Sequence, residues 1–188
     1  MIRTFAAVFP PAEVKEALLE VVEKLRKHCP DVKWVEKENM HLTLRFFGPL
    51  SEEQVEVASK CMTELSSRKA PFKARMGIVG AFPAPTRPRV LWVGVDVGKE
   101  ELVGIATELE NAFVKAGLGE ADRPFSPHLT VGRVRVPRKN LELEEAIRRL
   151  TFPKLEFTID SLILTKSALT PRGPIYSPLT VAKLEILD

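Results

Sequence analysis

The chain has 188 residues, of which 45% are hydrophobic and 28% charged, and its formal net charge is +3. This length suits one large domain or two small lobes, and the composition excludes a disordered chain. The first apolar run stops at Pro10 and Pro11, so it is too short for a signal peptide or a membrane span. Two cysteines, Cys29 and Cys61, cannot form a disulfide framework and suit a reducing compartment. We therefore expect a cytoplasmic protein with no membrane partner.

Hydrophobic periodicity and turn signals predict strands interleaved with helices. A strand near the N-terminus precedes a helix over 11–28, and strands follow at 33–35 and 41–47. Ser51 and Gln54 form a capping box for a helix that runs to Ser66. The remaining prediction is strands at 72–82 and 89–97, a helix at 99–116, a strand at 128–136, a helix at 141–150, and strands at 155–165 and 179–187.

The order of elements repeats along the chain. Arg3 begins a strand that is followed by a helix and then by His41, and Arg89 begins a strand that is followed by a helix and then by His128. The arginine-to-histidine spacings are 38 and 39 residues. This repeat indicates two similar lobes related by a pseudo-twofold axis, and two unrelated strand–helix–strand units are the alternative.

Two of the three histidines open the same short motif, His41-Leu42-Thr43-Leu44 and His128-Leu129-Thr130-Val131. On a strand, residues i and i+2 share a face, so each histidine and its threonine point the same way while the intervening residues point into the core. Paired imidazoles suit general acid–base chemistry near neutral pH, with one ring neutral and the other charged. The two hydroxyls between them suit the non-bridging oxygens of a phosphate.

Other kinds of site fit the sequence poorly. Histidines on separate strands, with no Asp, Glu or Cys cluster at ligand spacing, make a poor metal site. No glycine-rich phosphate-binding loop is present. The third histidine, His28, ends a helix beside Cys29 and Pro30 and is interpreted as a surface residue.

The chain resembles the two-histidine (2H) phosphoesterase superfamily, and within it the RNA 2′,3′-cyclic phosphodiesterases historically named 2′-5′ RNA ligases. The resemblance rests on the two histidine motifs and on short flanking runs at 3–11, 34–35, 45–48 and 126–127. It implies one domain over residues 1–188, made of two intertwined lobes. The implied fold is bilobal α+β, with antiparallel sheets lining a central cleft and helices packed outside. It also implies no metal and no cofactor, and we expect a monomer.

The resemblance further implies a mechanism. His128 is the proton acceptor for a water that attacks the cyclic phosphorus, and His41 is the proton donor to the departing 3′ oxygen, which leaves a 2′-phosphomonoester. Thr43 and Thr130 hold the phosphate oxygens as charge develops in the transition state. Run in reverse with a 5′-hydroxyl, the same chemistry gives 2′-5′ ligation.

Basic and aromatic residues near the motifs are candidates for substrate contact. Arg45 has the strand parity of His41 and Thr43, so it is predicted to face the cleft. Arg133 has the opposite parity to His128, so it reaches the phosphate only if Gly132 marks a bulge or the strand end. Four aromatic residues are candidates for stacking on a nucleobase: Phe46, Phe47, Phe125 and Tyr176.

The distribution of charge favours an RNA partner. The segments 65–95, 123–141 and 161–184 hold 14 of the 28 basic residues and no acidic residue. The helical segments 52–64 and 99–122 carry net charges of −3 and −4. A basic sheet side and acidic helices suit a polyanion that enters between the lobes. An RNA-binding module with vestigial catalysis, and an enzyme that acts on a small cyclic phosphate, remain the alternatives.

Overall fold

The computed structural model describes residues 1–185, which form nine strands, four α-helices and one short 3-10 helix at Lys37–Asn39. The strands are β1 (Ile2–Val8), β2 (Val32–Trp34), β3 (Leu42–Leu50), β4 (Phe72–Phe82), β5 (Val90–Val97), β6 (His128–Val134), β7 (Glu156–Ile159), β8 (Ser161–Thr170) and β9 (Gly173–Lys183). The helices are α1 (Ala12–Arg26), α2 (Glu52–Ser66), α3 (Lys99–Lys115) and α4 (Leu141–Arg149). None of the helices within residues 1–185 combines the length and the apolar character that crossing a membrane requires.

Local sequence signals account for the helix boundaries. The predicted capping box at the start of α2 is confirmed, since the Ser51 hydroxyl accepts from the Gln54 amide and the Gln54 side chain accepts from the Ser51 amide. Gly117 follows α3 at a φ of +80°, a conformation that glycine adopts without the steric cost a Cβ brings. The buried stripe of α1 is the predicted one: Val14, Ala17, Leu18, Val21, Val22 and Leu25.

The nine strands form one antiparallel sheet in the order β7-β4-β5-β6-β3-β1-β8-β9, with β2 on β6. Strands β3 and β6 pair at a single position, Leu42 opposite Leu129. Strand β3 pairs with β1 along its whole length, and beyond this position it leaves β6, whose edge pairs with β2 instead. The sheet therefore forks into a first half-sheet (β3, β1, β8 and β9) and a second half-sheet (β7, β4, β5, β6 and β2). The predicted α+β class with antiparallel sheets around a cleft is confirmed.

Each half-sheet is covered by a helix that follows a strand of the other half-sheet in the chain. Helix α1 follows β1 of the first half-sheet but packs against β6 and α4 of the second. Helix α3 follows β5 of the second half-sheet but packs against β3 and α2 of the first. Helices α1–α4 and the inward-facing strand residues form one hydrophobic cluster.

Two strand predictions are wrong. The predicted strand 155–165 is divided at Asp160 into β7 and β8, which lie in different half-sheets. The last strand begins at Gly173 rather than 179, so the predicted loop is a β-hairpin. Pro174 and Pro178 are tolerated in β9 because it is an edge strand, where a missing N–H costs no ladder hydrogen bond. Residues 186 and 187 of that prediction lie outside the described residues.

Candidate active site

The single β3–β6 pair places the two histidine motifs side by side. Because the strands are antiparallel and Leu42 lies opposite Leu129, His41 lies opposite Thr130, and Thr43 lies opposite His128. Both leucines are 0% exposed on the core side, so the four polar side chains project from the other face. All four line one cavity of about 1070 Å³. The histidines occupy one diagonal of this cluster, where sheet geometry places neighbouring residues about 7–8 Å apart and their Cβ atoms somewhat closer.

The same hydrogen bond orients both imidazole rings. His41 Nδ1 lies 2.6 Å from the carbonyl oxygen of Asn39, and His128 Nδ1 lies 2.7 Å from the carbonyl oxygen of Ser126. Since a carbonyl oxygen only accepts, each Nδ1 carries the hydrogen and donates it. Each Nε2 is then the nitrogen available to exchange a proton in the cleft. Asn39 is itself anchored, because its side-chain amide donates to the Pro174 carbonyl 3.0 Å away.

Aromatic side chains surround each imidazole. The His41 ring lies 4.8 Å from Phe5, 5.4 Å from Phe9 and 5.2 Å from Tyr176 between centroids. Burial among these rings lowers the pKa of His41 from 6.5 to about 4, with smaller contributions from the charges of Lys15 and Arg133. Burial lowers the pKa of His128 as well, so the pKa values of both histidines are shifted in the same direction.

Two aromatic rings pack beside His128 without lining the cavity, those of Trp92 and Phe82. The Trp92 ring is the larger of the two. It lies 6.2 Å from His128 and 5.0 Å from Phe82 between centroids, and Phe82 lies 5.1 Å from His128. The Trp92 ring lies flat on Gly80, where a Cβ would come within 2.4 Å of it. Sequence reasoning missed Phe82 and Trp92. The available signal was Gly80 inside a strand, which often marks the close approach of another group.

The prediction that Arg45 faces the cleft is wrong. The pairing of β1 with β3 shifts between Ala6 and Ala7, so that Thr43 and Arg45 oppose consecutive residues and Leu44 is extra. This bulge reverses the strand parity after Thr43. The Arg45 guanidinium is buried on the helix side, where it pairs with the Glu110 carboxylate of α3 and donates to the Gly119 carbonyl.

Arg133 reaches the cleft by the same device. The pairing of β5 with β6 shifts between Leu91 and Trp92, which makes Val131 the extra residue. The bulge turns Arg133 to the side of His128 and Thr130, and Arg133 lines the cavity. Its positive charge contributes to lowering the pKa of both histidines. Arg133 was predicted to reach the site only if β6 had a bulge or ended near Gly132, and the bulge is present.

Because each bulge lies three positions after its histidine, β3 and β6 correspond residue by residue from the histidine to the fifth residue after it. Phe46 and Arg133 each follow their histidine by five positions, and both line the cavity. The Arg3 guanidinium lies 4.6 Å above the Phe46 ring and also lines the cavity. The pseudo-twofold relation thus places an aromatic ring with a cation over it on one side, and a guanidinium on the other. Sequence analysis did not assign Arg3 to the site.

The aromatic and basic candidates divide in the structure. Phe46 and Tyr176 line the cavity, whereas Phe47 contacts Phe113 edge to face and Phe125 packs against the hydrophobic core. Of the 14 basic residues assigned to the cleft by charge segments, only two line the cavity, Arg133 and Arg172. Others pair with acids elsewhere, as Lys69 does with Glu108. Arg3 and Lys33, from outside those segments, complete the cationic lining.

Among residues 1–185, no three His, Cys, Asp or Glu side chains lie together in a way that could hold a metal ion. The four motif residues instead offer two imidazoles and two hydroxyls around one space, with Arg133 beside them. This arrangement can transfer a proton at each end of a group held between the rings. It can also neutralise and hydrogen-bond an anion at that position. These are the requirements of phosphodiester hydrolysis by acid–base catalysis.

Comparison with known proteins agrees with this class of site. The model of the 2'-5' RNA ligase superfamily matches residues 10–170, and the chain belongs to that family. A relative in Archaeoglobus fulgidus named RNA 2',3'-cyclic phosphodiesterase is 37% identical over 180 residues, which are 95% of this chain and 98% of the relative. A protein of the same name in Thermotoga maritima is 34% identical over 97% of this chain and 96% of its own length.

Solved structures show the same fold. The protein TT0787 of Thermus thermophilus superimposes with a TM-score of 0.84 at 32% identity, and the match covers 100% of both chains. The E. coli LigT complexed with 3'-AMP superimposes with a TM-score of 0.78 at 25% identity, covering 97% of this chain and 98% of that one. The expected two-histidine phosphoesterase fold is confirmed.

The placement of Arg45 predicts a difference between two arginine substitutions. Arg45→Met is expected to lower the free energy of unfolding by about 2 kcal/mol, because it leaves the partly buried Glu110 carboxylate without its partner. Arg133→Met is expected to change it by less than about 0.5 kcal/mol, since this exposed side chain has no ion pair among residues 1–185. Urea denaturation measures both. Equal losses would contradict the assignment of Arg45 to the core side.

Proposed function

We propose that this chain is a metal-independent RNA 2′,3′-cyclic phosphodiesterase that opens a terminal 2′,3′-cyclic phosphate to a 2′-phosphomonoester. One observation carries the proposal. Two imidazoles, each with Nδ1 held by a backbone carbonyl, lie diagonally across a cluster that two threonine hydroxyls complete. The names of the relatives in Archaeoglobus fulgidus and Thermotoga maritima support the substrate class.

In the proposed reaction each histidine moves one proton. His128 Nε2 accepts a proton from a water molecule as the water oxygen attacks the cyclic phosphorus. The bond from phosphorus to the 3′ oxygen breaks, and His41 Nε2 gives that oxygen its proton. The diagonal arrangement puts acid and base on opposite sides of the phosphorus, as in-line displacement requires. The assignment of His41 as donor and His128 as acceptor follows the family resemblance.

The donor role requires a charged His41, and its surroundings in the free protein oppose that charge. Burial lowers the pKa of His41 to about 4, so the ring is neutral at pH 7 before substrate binds. A phosphate anion held between the two rings favours the charged imidazole and raises its pKa. The substrate therefore brings the electrostatic partner that makes His41 an acid.

The remaining polar groups suit the phosphate rather than the proton transfers. Thr43 and Thr130 flank the space between the rings and donate to the non-bridging oxygens. Arg133 adds a guanidinium whose charge acts on both histidines, and it balances the negative charge that grows on the phosphate in the transition state. Reversal with a 5′-hydroxyl in place of water gives 2′-5′ ligation with the same groups.

Three further properties belong to this proposal. Cys29 and Cys61 are both free thiols, which suits the cytoplasm. We propose that the chain acts as a monomer, with both histidines in one cleft. We also propose one domain of two intertwined lobes. Helices α1 and α3 each pack on the half-sheet to which their preceding strand does not belong. Each half-sheet therefore needs the other lobe to bury its apolar face.

Isosteric histidine substitutions test the catalytic assignment. His41→Gln and His128→Gln are each expected to lower kcat by about 10²- to 10⁴-fold on an oligoribonucleotide with a 2′,3′-cyclic end, because each removes one proton transfer. His28→Gln, outside the cavity, is the matched control and is expected to keep wild-type activity. Hydrolysis is measured with EDTA present, and the product is identified by its resistance to a 3′-specific phosphatase.

Several results would overturn the proposal. Loss of wild-type turnover in EDTA contradicts metal independence, and a 3′-phosphate product contradicts the 3′ oxygen as leaving group. Binding of RNA without turnover favours the alternative of an RNA-binding module. Full activity in either histidine variant removes that residue from the mechanism.

The two lowered pKa values predict an acid-shifted pH profile. The productive form has one charged and one neutral ring, and in the free protein the pKa of each histidine is below 6.5. We therefore expect a bell-shaped dependence of kcat/KM on pH with its maximum below pH 6.5. The maximum of kcat is expected at higher pH, because the bound phosphate raises the pKa of the donor. A kcat/KM maximum at or above pH 7 would contradict this electrostatic account.

A further inference from the structure

Two cations lie directly opposite each other on the wall of the cavity. Lys33 of β2 pairs in register with Arg133 of β6, and both line the cavity. Cβ atoms of such partners are about 4.5–5.5 Å apart, and like charges at this separation destabilise a sheet. The fold therefore bears an electrostatic cost at this position in the free protein.

No carboxylate offsets that cost among residues 1–185. The two acids of the cavity lining, Glu36 and Glu38, form no ion pair within 4 Å of either cation. Two other strand arginines are each paired with carboxylates, Arg45 with Glu110 and Arg75 with Asp96 and Glu156. An unpaired like-charge pair facing a cavity is the arrangement that an anionic ligand stabilises.

The pair also lies at a definite position relative to the histidines. Strand β2 takes over the edge of β6 after β3 has left it, so Lys33 is farther from the β3–β6 junction than Thr130 is. Arg133 is close enough for its charge to act on His41, His128 and Tyr176. The two cations thus extend from the reacting position outward along the cavity wall.

The cavity has room for more than one nucleotide unit. Its volume is about 1070 Å³, whereas pockets for drug-sized ligands are about 300–1,000 Å³. A strand that ends in a cyclic phosphate carries its next negative charge on the phosphate at the 5′ side of the terminal nucleoside. That second phosphate is the anion of the substrate that a cation pair beside the reacting position would meet.

We propose that Lys33 binds the internucleotide phosphate preceding the terminal nucleotide, with Arg133 opposite it placed between that phosphate and the reacting one, so that the site selects RNA ends over cyclic mononucleotides. This inference rests on the proposed function. Lys33 is a specificity-determining residue in this scheme and takes no part in the proton transfers. Charge complementarity decides the occupant, because an uncharged linkage would leave the two cations opposed.

Three substrates test the inference: uridine 2′,3′-cyclic phosphate, the dinucleotide UpU with a 2′,3′-cyclic end, and the same dinucleotide with a methylphosphonate linkage. The wild-type protein is expected to have a kcat/KM about tenfold higher for the charged dinucleotide than for the methylphosphonate. Lys33→Gln is expected to reduce this ratio to about twofold or less. It is also expected to lower the salt dependence of kcat/KM for the charged dinucleotide by about one ion.

Lys60→Gln is the matched control. Lys60 lies on α2 with 79% of its side chain exposed and is not part of the cavity lining, so the ratio is expected to stay at the wild-type value. Equal wild-type kcat/KM for the charged and methylphosphonate dinucleotides would overturn the inference while leaving the proposed function intact. So would an unchanged ratio in Lys33→Gln. Absence of turnover with all three substrates would overturn the proposed function itself.

Discussion

The site depends on one backbone pair, Leu42 opposite Leu129. Both side chains are 0% exposed in the core, and this burial fixes the face on which the neighbouring histidines and threonines emerge. A slip of one residue in either strand would send that strand's histidine and threonine into the core and its leucine into the cleft. Because the strands separate after this pair, the cleft opens where the two histidines and the two threonines meet. The fork in the sheet and the position of the chemistry thus have the same origin.

Two β-bulges then decide which side chains accompany the histidines. Each bulge follows the threonine of its motif and reverses strand parity. In β3 this buries Arg45 beneath the sheet, where it joins Glu110 of α3, and exposes Phe46 to the cavity. In β6 it turns Arg133 to the cavity. The same kind of bulge, repeated by pseudo-symmetry, therefore turns a phenylalanine to the cavity on one side and an arginine on the other.

Much of this could be predicted from the sequence, because the signals were periodic or duplicated. The buried stripe of α1 and the capping box of α2 follow from spacing alone. The convergence of His41 and His128 follows from a duplicated motif. The bulge in β3 left no glycine or proline at Leu44 to mark it, so simple alternation misplaced Arg45. The charge of each sequence segment was a poor guide to which basic residues line the cavity. A net count does not show ion pairs between neighbouring strands, such as that of Arg75 with Asp96.

Two imidazoles share one hydrogen-bond pattern, and in the proposed mechanism the substrate rather than the protein supplies the charge that makes His41 an acid. Long-range ¹H–¹⁵N NMR of the histidine rings, recorded during pH titration with and without adenosine 2′-monophosphate, reports the charge and the tautomer of each ring. We expect His41 and His128 both to carry the hydrogen on Nδ1 at pH 7, the pKa of His41 to be about 4 in the free protein, and the nucleotide to raise this pKa. A charged His41 at pH 7 without ligand, or a hydrogen on Nε2 instead of Nδ1 in either neutral ring, would contradict this mechanism.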